Sequence, residues 1–212
     1  MAIITKGILG GFSGTVGTVV GSTWRGIEYM RSRPTFPKDR QFTPAQVDQQ
    51  LKFGLVTRFT QTIADLLNLT YKHYADRQTG RNSAVSYLLQ HAVTGSSPGF
   101  QLDYAKVLVS RGPLLGAKEA AATVGPGALI TFTWSDNAGA GGAKTSDRAI
   151  VVAHCPALQQ SRYAVTDAPR SSGSTSLDAT GFNGYTVHTW LGFISENGQG
   201  VANSVYTGAL VL

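Results

Sequence analysis

From residue 128 to the C-terminus the chain divides into six short stretches rich in β-branched and aromatic residues, at 128–134, 148–155, 161–166, 174–178, 185–195 and 201–212. Each is bounded by clusters of Gly, Asn, Asp, Pro or Ser, which read as turns between short strands. This pattern restricts residues 119–212 to an antiparallel arrangement, and the strand spacing predicts a β-sandwich of the immunoglobulin or fibronectin type III kind. The last two stretches form a hairpin across "ENGQG", and Trp134 or Trp190 supplies the ring for the core.

Upstream the pattern changes. "RPTFPKDRQFTPAQ" is an extended connector punctuated by proline, and it ends in a helix start with Thr43 as N-cap and Pro44 at the first helical position. Val47, Leu51, Leu55, Phe59, Ile63 and Leu66/Leu67 then recur at three- and four-residue steps, which predicts a core-facing helical stripe. A second helix is expected from Asn82, ending at "TGSSPG". "LDYAKVLVSRG" reads as a strand and "PLLGAKEAAATVGPG" as irregular chain. The fold class is therefore α+β, in three parts: a Gly-rich β-hairpin with its connector (1–40), a helical segment plus a strand (41–118), and the β-sandwich (119–212).

The N-terminal part carries an uncharged run from Gly7 to Trp24 in which six of eighteen residues are Gly and five are Ser or Thr. A transmembrane helix needs about 20 predominantly apolar residues, and glycine costs about 1 kcal/mol per interior helical position. A phosphate loop needs a Lys after its glycines, and Gly21 is followed by Ser22 and Thr23. "VVGSTW" and "IEYMRSR" instead flank Arg25-Gly26, the length and composition of a two-residue hairpin turn. That hairpin sets Trp24 opposite Ile27, Thr23 opposite Glu28 and Ser22 opposite Tyr29. Arg31 and Arg33 then share one side at period two. Gly11, Gly14, Gly17 and Gly21, with Trp24 and Tyr29, are the candidate subunit interface, because small residues admit close approach of another backbone or ring.

Of the 212 residues 42% are hydrophobic and only 14% charged, against about 25% charged in an average soluble domain. The net charge of +6 divides as +4 over residues 1–40, +4 over 41–118 and −2 over 119–212. A basic N-terminal half attracts anionic partners. Arg25, Arg31, Arg33, Lys38 and Arg40, interleaved with Trp24, Tyr29 and Phe36, are the candidate nucleic-acid contacts. One cysteine, Cys155, excludes an internal disulfide, and "MAIITK" is followed by no leucine-rich signal core. A chain of this kind is expected to be made in the cytoplasm, and to reach a surface or particle only by a non-classical route.

Five separated blocks, "GILGGFSGTVGTVVGSTWRGIEYMRSRP", "TPAQ", "YAKVLVSRGPLLG", "FTWSDNAGAGGAKTSDRA" and "FISENGQGVANSVYTG", together resemble a family of uncharacterised proteins of about this length found mainly in the Bacteroidota. The resemblance carries no catalytic residues with it. The residues supply none either: His154 and Cys155 are neighbours in a strand and point to opposite faces, and no hydrolase elbow or zinc-binding helix motif occurs. His73, His91 and His188 lack a second His or Cys at ligand spacing. His73 and Asp76 are one turn apart if helical, and a surface hydrogen bond is their expected use. Asp136, Asn137 and Asp147, at the ends of the glycine-rich "SDNAGAGGAKTSD", are the weak calcium candidate, as hard oxygen donors without the EF-hand layout. The expectation is a non-catalytic, self-assembling structural subunit without a cofactor or small-molecule substrate. Its partner is a second copy of itself, and nucleic acid is the alternative.

Overall fold

The structure, a computed structural model, describes residues 3–4, 10–24, 26–35 and 41–212. It divides into two compact units, Met1–Thr43 and Pro44–Leu212. The chain is α+β, and among the described residues every pairing between strands is antiparallel.

In the first unit β1 (Ile3–Ile4), β2 (Phe12–Val16), β3 (Val19–Trp24) and β4 (Ile27–Ser32) form one sheet in chain order. The β3–β4 register is the expected one, with Trp24 opposite Ile27, Thr23 opposite Glu28 and Ser22 opposite Tyr29. Gly26, at φ 82°, makes the turn in a backbone conformation that favours glycine. The sheet extends past the single expected hairpin. Val16 pairs with Val19 across Gly17-Thr18, and Gly17 at φ 57° supplies a second two-residue turn.

The second unit opens with α1 (Pro44–Gln61), α2 (Ala64–Thr70) and α3 (Gly80–His91). Pro44 begins α1 as its fixed φ suggests. α3 begins two residues before the expected Asn82, because the Thr79 side chain accepts a hydrogen bond from the Asn82 N–H and caps it. The apolar stripe does not all turn inward: Phe59, Ile63, Leu66 and Leu67 are buried, while Val47 and Leu51 are 39% and 40% exposed. Two short strands follow, β5 (Val93–Thr94) and β6 (Gln101–Leu102).

"LDYAKVLVSRG" is mostly not a strand. After a 3₁₀ turn at Tyr104–Lys106 it runs as an extended strap whose polar groups are held by side chains as well as backbone. The Ser204 hydroxyl accepts from the Val109 N–H, the Ser110 hydroxyl donates to Ala202 O, and the Thr70 hydroxyl donates to Val109 O. Alternating burial of Val107 and Val109 imitates a strand, but sheet partners do not produce it. β7 (Lys118–Val124), in contrast, is a strand where irregular chain was expected. Its "KEAAATV" has little β propensity, and pairing with the next strand overrides that.

The remaining strands are β8 (Leu129–Ser135), β9 (Arg148–Cys155), β10 (Gln160–Pro169), β11 (Ser174–Asp178), β12 (Thr186–Ile194) and β13 (Val205–Val211). They form two sheets, ordered β10-β9-β12-β13 and β11-β8-β7. β9 is buried on both faces, and its alternation shows how the layers stack. Ile150 and Val152 join a core with the helices, whereas Ala149, Val151, Ala153 and Cys155 join one with Ile130, Phe132 and Trp134 of β8. The larger sheet is thus the middle of three layers. Trp134 and Trp190 are both buried, on opposite sides of it: Trp190 in the helical core, and Trp134 edge-on to Phe193 with ring centroids 5.4 Å apart.

Candidate functional site

The oxygen donors proposed for calcium lie around a buried cation of the protein itself. Arg170 follows β10 and is fully buried. Its Nε donates to Asp147 Oδ2 at 3.3 Å, Nη1 to Asn137 Oδ1 at 2.6 Å and to Gly116 O at 3.4 Å, and Nη2 to Leu115 O at 2.9 Å. The guanidinium carbon lies 3.8 Å from the Phe193 ring centroid. Asp147, 1% exposed, also accepts from the Lys144 N–H, and Asp136 accepts from the Ala138 N–H in a local turn. Asp147 and Asn137 are therefore satisfied by a planar fork that fits them. Among the described residues no group of three or more His, Cys, Asp or Glu is placed to hold a metal ion. The backbone of Arg170 is held too: its N–H donates to Asp147 O, and its carbonyl accepts from Trp134 Nε1. The cluster ties the loop before β9, the strap before β7 and the end of β10 into one node.

The histidines form the second cluster. His154 and His188 lie directly opposite each other on β9 and β12. His154 faces the helical side and Cys155 the other, as strand alternation requires. Phe59 meets the His154 ring edge-on at 4.9 Å, and Tyr104 stacks on His188 at 3.9 Å. His154 Nδ1 and the Ser161 hydroxyl share a 2.9 Å hydrogen bond, Ser161 and Thr62 share one of 2.6 Å, and His188 Nδ1 pairs with the Tyr206 hydroxyl at 2.7 Å. Burial, and then the neighbouring His188, pushes His154 down to about 4. Burial also lowers His188 and raises Tyr104 and Tyr206. A neutral imidazole beside a serine has the parts of a base and a nucleophile. No carboxylate is hydrogen-bonded to either ring among the described residues, and His154 is only 4% exposed. The cluster combines aromatic packing with a hydrogen bond at Nδ1 of each imidazole. His73 lies elsewhere and bonds to Gln199 O, not to Asp76.

In the N-terminal sheet the candidate interface residues divide. A Cβ on Gly11 would sit 2.4 Å from Glu28 Oε2, and one on Gly21 would sit 2.2 Å from Phe12 O. These two glycines serve close packing within the sheet, where the Gly11 N–H donates to Glu28 at 2.9 Å. Gly17 is a turn residue, and Gly14 lies opposite Gly21 at φ 117°. Trp24 and Tyr29 share a face with Ile27 and Arg31, and all four are exposed. Arg33 donates its N–H to Thr18 O. Arg25, Lys38 and Arg40 lie outside the described residues.

A family model matches residues 11–208. The chain belongs to DUF6266, a family of unknown function. The matched span of this DUF6266 chain begins at Gly11, whose N–H donates to Glu28, and ends within β13, so it takes in β2–β4 of the N-terminal sheet, the helices and all of both C-terminal sheets but the last residues of β13. No curated protein matches the chain in sequence. The helices of its described residues are not long and apolar enough to cross a membrane.

Proposed function

We propose that this chain is a non-catalytic, self-assembling structural subunit, a component of a filament, surface or particle. Its C-terminal sheets form an immunoglobulin- or fibronectin-like sandwich, and its N-terminal sheet pairs with another copy. The observation that carries the reading is the exposure of apolar side chains on both faces of that sheet. Trp24 and Ile27 are each 54% exposed on one face, and Met30 is 68% and Val16 58% exposed on the other. β4 is the last strand in the sheet order and all six of its residues are exposed. Edge strands of this kind template pairing with a second chain unless charge or proline blocks them. Glu28 and Arg31 are the only charges on β4.

The test is light scattering and negative-stain electron microscopy of the full chain beside Ile27→Lys, Met30→Lys and a deletion of residues 1–33. The expected result is a particle larger than one chain, reduced to monomers by each change. A monomeric full chain, or a particle unaffected by all three, would overturn the assignment. A second reading, nucleic-acid binding, draws on Tyr29 and Arg31, which share one exposed face of β4. Single-strand binders use rings and cations in this way. It requires affinity for an oligonucleotide that falls steeply between 50 mM and 200 mM salt and is lost in Arg31→Ala/Arg33→Ala.

A further inference from the structure

We propose that the groove between α1 and α3 is a binding site for an aliphatic carboxylate. The inference is independent of the N-terminal sheet. Phe53 and Thr57, one turn apart on α1, face Arg81, Asn82, Val85, Ser86 and Leu89 of α3 across a cavity of about 540 Å³. Small-molecule sites are typically clefts of about 300–1,000 Å³, mostly apolar, with a few convergent polar groups.

Two residues of the lining each carry a polar atom that has no hydrogen-bond partner although it is shielded from solvent: Arg81 Nε and Thr57 Oγ1. Buried donors are nearly always paired in folded proteins, and a guanidinium N–H is among the costliest to leave unmet. The lining contains no Asp or Glu, and Arg81 makes no ion pair among the described residues. The backbone is not the unmet group, because the N–H of Arg81 donates to Asn68 Oδ1 and that of Asn82 to Thr79 Oγ1.

A carboxylate answers both deficits. With a rotation of the Arg81 side chain that brings its guanidinium to the cavity surface, the two oxygens accept from Nε and a terminal N–H, the bidentate pairing that arginine favours, and the Thr57 hydroxyl donates to one of them. Phe53, 51% exposed, with Val85 and Leu89, offers an apolar surface for a hydrocarbon tail. Phosphate alone would leave that surface uncovered, and an alcohol would accept a single hydrogen bond but leave the guanidinium without a counter-charge.

The probes are sodium octanoate, 1-octanol and inorganic phosphate, each titrated into ¹⁵N-labelled full chain and followed by two-dimensional NMR. Octanoate is expected to shift the amides of Thr57, Asn82, Val85 and Ser86 saturably. Octanol should bind about tenfold or more weakly, since a charge-assisted hydrogen bond is lost, and Arg81→Met should weaken octanoate by about the same factor. If Arg81→Met does not fold, Thr57→Val gives the second readout, with an expected loss of about threefold or more. Unmoved amides, octanol binding equal to octanoate, phosphate binding equal to octanoate, or full octanoate affinity in the variants would each overturn the proposal.

Discussion

Replacing Arg170 by Met should destabilise the second unit more than almost any other single change. The methionine fills much of the space against Phe193 but removes the hydrogen bonds to Asp147, Asn137, Leu115 and Gly116. What remains is a carboxylate that is 1% exposed and has lost its counter-charge, beside a Leu115 carbonyl that has lost its Arg170 donor, while Gly116 O keeps the Asn137 amide at 3.0 Å. Breaking a buried ion pair from one side costs about 3–5 kcal/mol. For a domain of this size that is a fall in Tm of roughly 10 °C. Urea unfolding followed by tryptophan fluorescence measures it directly, with Trp134 bonded to the Arg170 carbonyl as a local reporter. Arg170→Lys keeps the charge but not the planar fork, and it should fall between wild type and Met. In the double variant Arg170→Met/Asp147→Asn the loss should be smaller than the sum of the two single losses, because no uncompensated charge is left. A loss below about 1 kcal/mol for Arg170→Met, or strict additivity in the double variant, would refute the idea that the node is an electrostatic unit.

Other outcomes follow from the same geometry. Folded His154 titrates at about 4, and its unfolded counterpart at about 6.5, so the unfolded chain binds more protons between those values. Stability should therefore fall as pH drops from 6.5 to 4, by about 3 kcal/mol, with His188 adding in the same direction. Urea midpoints at pH 7 and 4.5 measure the fall, and His154→Gln should flatten most of it. Gly112→Ala places a Cβ 2.0 Å from Val201 O and should lower the urea midpoint sharply, whereas Gly198→Ala meets no neighbour and should cost only the strain of its positive φ. The Cys155 thiol is fully buried between the two sheets. Its labelling by Ellman's reagent should be slow in buffer and accelerate along the urea unfolding curve, and fast labelling of the native chain would contradict that core.

Local chemistry made much of the fold legible. The two-residue turn at Gly26 set the β3–β4 register, because glycine at positive φ matches the twist of its strands. Pro44 fixed the start of α1, and strand alternation put His154 and Cys155 on opposite faces. Where local signals were weak, pairing decided. β7 is too rich in alanine to declare itself, and the alternating valines after Tyr104 belong to a strap held by hydroxyls.

The candidate sites depended more heavily on tertiary structure. No local signal in "APRSSG" marks Arg170 as the most enclosed charge of the second unit or Asp147 as its partner 23 residues away. His154 and His188 meet only because β12 pairs with β9 in one register, and Arg81 comes opposite Thr57 only because α3 folds back along α1. The sequence by itself determined the α+β class, the turns and the strand faces, since these depend on φ preferences and side-chain period within a few residues. Which charge is buried, which rings stack and which donor is left unmet depend on contacts between segments far apart in the chain, and only the tertiary structure decided them.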